Sequence, residues 1–130
     1  MIVEPHPDSC MAVLDMLARG GVVVVRVDAS RADVLGIPAN LRIRGLPLRL
    51  GSGLQPPITD LQIDYLGIRA TLYFGGSASL VILPWASIWR AQGGGRAVIW
   101  LERVPADLTE SDGDYLAAQQ KKPGRLQLVP

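Results

Sequence analysis

The sequence predicts an α+β domain that is mostly β: one N-terminal helix, then a small, strongly bent β-barrel or sandwich, then a flexible C-terminal tail. Three observations carry this prediction. Apolar residues recur at helical spacing only near the start of the chain. From Val22 onward they recur at the two-residue period of strands, with glycine pairs punctuating the runs. Beyond Val104 large apolar residues thin out and carboxylates gather.

The helix comes first. Asp8 or Ser9 offers an oxygen to the orphan N–H groups of a first turn, and Cys10, Val13, Leu14 and Leu17 follow at i, i+3, i+4 and i+7. Residues 9–19 therefore form a short amphipathic helix, ended by Gly20-Gly21 because glycine takes the left-handed conformation without a Cβ clash. Val22 to Val27 is β-branched and almost uninterrupted, which is the pattern of a strand covered on both faces. Leu46 to Leu50 is a second apolar run. Ile58 to Tyr65 alternates, with Leu61, Ile63 and Tyr65 on one face and Asp60, Gln62 and Asp64 on the other. Leu66-Gly67 then turns the chain into Ile68 to Phe74, which alternates again, so the two runs form a hairpin.

Gly75-Gly76 marks the next turn, and Ser79 to Leu83 the next strand. Pro84 suits a first helical turn, and Trp85, Ile88 and Trp89 sit at i, i+3 and i+4, so a short helix is expected over Trp85 to Ala91. Gly93-Gly94-Gly95 breaks it, and Ala97 to Leu101 is the last strand, with Val98 and Trp100 on one side. The organisation expected is an N-terminal extension over 1–8, a folded domain over 9–103, a flexible linker over 104–120 and a docking tail over 121–130. The tail is basic at Lys121, Lys122 and Arg125, then apolar at Leu126, Leu128 and Val129.

Composition excludes several functions. The chain has 130 residues with 13 Lys+Arg against 12 Asp+Glu, a net charge of +1 that gives no broad footprint for a polyanion. Nucleic acid is therefore not an expected partner. One cysteine builds no disulfide framework, which fits a reducing compartment. No apolar run approaches the roughly 18 residues of a membrane span, and the first residues lack the pattern of a signal peptide. The expected location is the cytoplasm, with no membrane partner.

Catalytic chemistry is equally sparse. His6 is the only histidine, placed between two prolines, and Cys10 lies on the apolar helix face, so neither is a candidate base or nucleophile. One His and one Cys cannot assemble a zinc site or a triad, and no cofactor is expected. Gly51-Ser52-Gly53 and Gly93-Gly94-Gly95 lack the order and the following Lys-Ser/Thr of a phosphate loop, and read as turns. Trp85, Trp89 and Trp100 read as core. What remains is a surface for an extended peptide. Leu46 to Gly53 and the facing Ile68 to Gly76 carry few bulky charges and have glycines that let another backbone approach.

In order along the chain, Val22 to Val27, Gly36-Ile37-Pro38, Leu46 to Ser52, Gly67 to Gly76 and Val81 to Ile88 resemble the stringent starvation protein B (SspB) family. The resemblance covers roughly residues 9–103. That family is the adaptor that carries ssrA-tagged, incompletely translated proteins to the ClpXP protease. SspB ends in a short motif, Arg-Pro-x-Leu-Arg-Val-Val-Lys, that docks on the zinc-binding domain of the ClpX unfoldase. Pro123 to Pro130 is similar to it, departing at Gln127, where the motif is basic, and at Pro130, where it has Lys.

The resemblance implies a non-enzymatic adaptor whose partners are ssrA-tagged polypeptides, ClpX and a second copy of itself. It places the peptide site at Leu48, Leu50, Gly51 and Ser52 on one strand and at Ala70, Leu72, Phe74 and Gly75 on the facing segment. On that reading a bulky charge at Ala70 weakens tag binding while the fold survives. The docking residues would be Arg125, Leu126, Leu128 and Val129, and the dimer would bring Met11, Leu14 and Ala18 near the partner copy. A linker of about 18 residues behaves as a coil of roughly 23 Å r.m.s. span, giving millimolar effective concentration. The alternative is an Sm-like RNA-binding module, which shares a short helix before a bent barrel. It calls for a basic or aromatic rim, which +1 net charge and seven aromatic residues (Trp 3, Tyr 3, Phe 1) do not supply.

Overall fold

The computed structural model describes residues 8–106. Helix α1 spans Ser9–Ala18, and the strands are β1 (Val22–Val27), β2 (Leu46–Gly51), β3 (Gln62–Asp64), β4 (Gly67–Phe74), β5 (Ser77–Pro84), β6 (Ile88–Gly93) and β7 (Arg96–Ile99). Short 3-10 turns lie at Ala39–Leu41, Trp85–Ser87 and Leu101–Arg103. The described residues are α+β, with 42% of them in strands. The expected extension over 1–7, and the linker and tail from residue 107 onward, fall outside the described residues.

Two antiparallel sheets enclose one apolar core, one in the order β2-β1-β6-β7 and the other β3-β4-β5. They are not closed into a barrel. In β1, Val23, Val25 and Val27 are fully buried, and they face the buried Leu46, Leu48 and Leu50 of β2 across the ladder. Ile68, Ala70 and Leu72 of β4 and Val81 and Leu83 of β5 supply the core from the other sheet. Trp100 and Ile88 are also fully buried, and the Trp85 and Trp89 rings are inside with their N–H groups donated to the Asp64 (2.7 Å) and Arg44 (2.9 Å) carbonyls. All three tryptophans fill the core.

The helix begins where the sequence places it: Asp8 accepts the Met11 N–H at 3.1 Å. Its buried stripe is turned from the expected one, however. Ser9, Ala12, Val13 and Met16 are buried, while Leu14 is exposed and Cys10 and Leu17 are only partly covered. A long-range bond explains the turn. Arg103 donates to the Ser9 hydroxyl at 2.7 Å, tying the last 3-10 turn to the start of the helix and making a small polar residue the inward one. At the other end Asp15 accepts from Arg19 and Arg96, both at 3.1 Å, which docks α1 beside β7.

The short helix expected over Trp85 to Ala91 does not form. One 3-10 turn, Trp85–Ser87, leads straight into β6, which pairs with β1 and β7. The i, i+3, i+4 spacing of Trp85, Ile88 and Trp89 fits a single turn followed by a strand just as well, and two strand partners outweigh one helical turn. The hairpin after it turns on Gly94 and Gly95, both at positive φ, which is the two-residue turn that matches strand twist. The first hairpin is shorter than expected on its leading side: only Gln62–Asp64 pairs with β4, and Tyr65 projects into solvent.

Candidate functional site

A groove of about 460 Å³ lies between β2 and β4, flanked by the segment 53–58. It lies between the edge strand of one sheet and a strand of the other. Leu48, Leu72 and Phe74 give it an apolar floor, joined by Ile58. Its origin lies in the direction of the main chain. In an antiparallel strand, the N–H and C=O of one residue point to the same side, and successive residues alternate.

On β1 the even positions face β6, as the continuing Asp28 N–H to Ser87 carbonyl bond at 2.8 Å shows. The odd positions therefore pair with Leu46, Leu48 and Leu50 of β2. Pro47, Arg49 and Gly51 are left pointing their main chain outward. Proline at position 47 fits that arrangement, because it has no N–H to lose on an unpaired edge.

Strand β4 mirrors this. Its even residues pair with β5, and its odd residues face the other way, toward β3 at Gly67 and Arg69. Beyond Arg69 the strand β3 is absent, and Asp60 replaces it: its carboxylate accepts the Thr71 N–H at 2.9 Å and the Thr71 hydroxyl at 2.6 Å. Those two donors, the hydroxyl first, hold the Asp60 carboxyl below the usual carboxylate range. Past Thr71 the edge is open at Tyr73. Among the described residues, two strand edges without a strand partner thus border one apolar slot.

The residues expected at a peptide site divide into three groups. Leu48, Leu72 and Phe74 line the groove. Leu50 and Ala70 point into the core beneath it, Ala70 at 2% exposure, so a bulky charge at Ala70 would strike the fold before it reached a ligand. Gly51, Ser52 and Gly75 sit at strand ends, outside the lining. Arg49, Thr71 and Tyr73 also line the groove; they fall inside the two stretches read from the sequence without being singled out there, whereas the flanking segment from Leu54 to Ile58 lies outside those stretches. Pro47 in an apolar run was the available signal for an open edge.

Elsewhere, Cys10 is half-buried, and burial together with the Asp8 and Asp64 carboxylates pushes its thiol up, away from nucleophilic use. Among the described residues no group of three His, Cys, Asp or Glu is placed to hold a metal ion, and no helix is long and apolar enough to cross a membrane. On α1, Met11 and Leu14 are 62% and 40% exposed on an outward face shared with Ala18. Arg125, Leu126, Leu128 and Val129 lie outside the described residues. Neither the protein-family models nor the curated proteins compared with the chain give a match.

Proposed function

We propose that the chain is a non-enzymatic proteolytic adaptor of the SspB kind, whose groove takes an ssrA-type degradation tag as an extended strand and whose C-terminal tail docks on the ClpX unfoldase. The observation that carries this reading is the open seam, with an unpaired main-chain edge on each side of an apolar slot. A strand entering there gains main-chain bonds to β2 or β4 and sets alternate side chains on Leu48, Leu72 and Phe74. Peptide hydrolysis belongs to the partner protease.

Fluorescence anisotropy of a labelled ssrA-type peptide, beside a scrambled one, tests the reading. Saturable binding to the tag alone supports it, and no binding at high micromolar protein overturns it. The main-chain contribution is tested by Arg49→Pro, which removes an outward N–H without touching the β1 ladder. One lost hydrogen bond of about 1 kcal/mol weakens the tag roughly fivefold, whereas Arg49→Ala, which keeps the N–H, binds as the parent does. Equal losses in both variants would assign the contact to the guanidinium instead.

The same reading makes the protein a homodimer through the outward face of α1. Because Leu14 is exposed in the protomer, Leu14→Glu leaves the far-UV circular dichroism spectrum unchanged and converts dimer to monomer in sedimentation equilibrium. A monomeric parent chain overturns the dimer.

A further inference from the structure

Strand β5 carries an apolar run that the described residues cover on one side only. Leu80-Val81-Ile82-Leu83-Pro84 is the unbroken pattern of a strand buried on both faces. Val81 and Leu83 are buried in the core, but Leu80, Ile82 and Pro84 alternate with them and face outward, Leu80 more than half exposed. Across the ladder they stand beside Thr71, Arg69 and Gly67 of β4, and Gln62 and Asp64 of β3 complete the face. Leu35 widens it: it exchanges both main-chain bonds with Ile82, at 3.1 and 3.0 Å, and is half exposed beside it. The outer face of the other sheet mixes valine with Arg49, Arg90 and Gln92, whereas no outward position of β5 from Ala78 to Pro84 is polar.

Two features make this face complementary to itself. Gly67 has no side chain, and over it lies a hollow of about 440 Å³ bordered by Leu66, Ile82 and Pro84. Leu66 stands two-thirds exposed beside that hollow, so knob and hole occupy one surface. The charged residues lining the hollow, Asp64 and Arg69, are of opposite sign. Each is held within its own chain, Asp64 by the Leu66 and Gly67 N–H groups at 2.9 and 3.3 Å and Arg69 by the Gln62 side-chain oxygen. In a two-fold contact residue i meets j of the partner and j meets i. One such pairing fills two hollows and sets two pairs of opposite charges together.

We infer that the outer face of β3-β4-β5 pairs two-fold with the same face of a second copy, Leu66 of each copy seated in the other's hollow and each Arg69 opposite the partner's Asp64. The contact is separate from the groove and from α1, and it rests on neither reading. The face is three strands wide and eight residues long, roughly 14 Å by 26 Å. That is well short of the about 800 Å² per partner of a standard interface. The pairing is therefore weak and fills only at high protein concentration, or where copies are already held together.

Amide NMR spectra of the Leu14→Glu chain, which removes any association through α1, are recorded from millimolar to low micromolar protein. The amides of Leu66, Arg69 and Leu80 are expected to move with concentration, while Val25 in the core and Arg49 at the groove stay in place. Adding Leu80→Glu, at an exposed position where the far-UV circular dichroism spectrum stays unchanged, abolishes the movement. Arg69→Glu sets like charges opposite one another and weakens the pairing roughly tenfold, whereas Arg69→Lys pairs as the parent residue does. Concentration-independent amides on this face overturn the inference and leave the face to a partner of another kind. Movement that persists with Leu80→Glu moves the contact elsewhere and overturns it as well. Undiminished pairing with Arg69→Glu overturns the two-fold arrangement.

Discussion

A chain lacking residues 121–130 is expected to bind tag peptide at least as well as the parent and to give no stimulation of tagged-substrate degradation. The argument is one of linkage between two weak contacts. Each contact alone is modest, and joined through a tether they behave as one, with a gain on the order of 10² to 10⁴ when both engage. Removing one contact forfeits the whole gain. The groove lies wholly among residues 47–74, so nothing in it is lost with the tail. In a degradation assay with a tagged fluorescent protein, the apparent KM returns to its value without adaptor while kcat is unchanged. Undiminished stimulation by the truncated chain would remove the docking role from Leu126, Leu128 and Val129. Restoring a basic residue with Gln127→Arg is expected to strengthen stimulation, since that is where the sequence departs from the SspB motif.

Arg26→Ala is expected to cost about 3 kcal/mol of folding stability, roughly 15 °C in melting temperature for a domain near 100 residues. Arg26 is 4% exposed in the middle of β1, a strand whose other residues are all valine. Its guanidinium donates to the Gly45 carbonyl and stands 5.9 Å from the centre of the Trp89 ring. Truncation opens a cavity beside Trp89 and leaves the Gly45 carbonyl without that donor. Arg26→Met refills much of the volume but restores no donor, so it falls between alanine and the parent. Chemical denaturation of the three chains measures the order. Alanine and parent unfolding at one denaturant concentration would mean that the buried guanidinium is energetically neutral. The site reaches beyond stability, because Gly45 immediately precedes β2 and so sets where the groove's edge begins.

How far the sequence could be read depended on whether the deciding contact was local. The valine run of β1 and the glycine-bounded hairpins were legible because period and turn chemistry are local properties. The helix stripe was misplaced by one position because the bond that turns Ser9 inward comes from Arg103, at the far end of the domain. Trp85 to Ala91 was misread because its spacing served two local structures, and pairing with β1 and β7 chose between them.

The groove shows the same division. Leu48, Leu72 and Phe74 were visible as apolar members of alternating runs. The neighbours that would offer a strand open main-chain atoms, Arg49 and Tyr73, would act through backbone atoms that every residue carries. Side-chain identity cannot reveal them; the ladder's parity can. Asp60 belongs with them, a carboxylate substituting for a missing strand, and only its distance to Thr71 discloses that role.

The seam also determines what is kept out. An exposed strand edge ordinarily invites the edge of any other sheet, and molecules carrying one tend to stick to their own copies. Here the β2 and β4 edges lie on either side of one groove flanked by the segment 53–58, and Asp60 covers the β4 edge at Thr71. A folded neighbour carries its own layers on either side of its outermost strand, whereas a loose thread of polypeptide is one chain wide. If the groove takes a strand, as proposed above, the fold acts as a gauge for thickness that separates frayed ends from finished proteins.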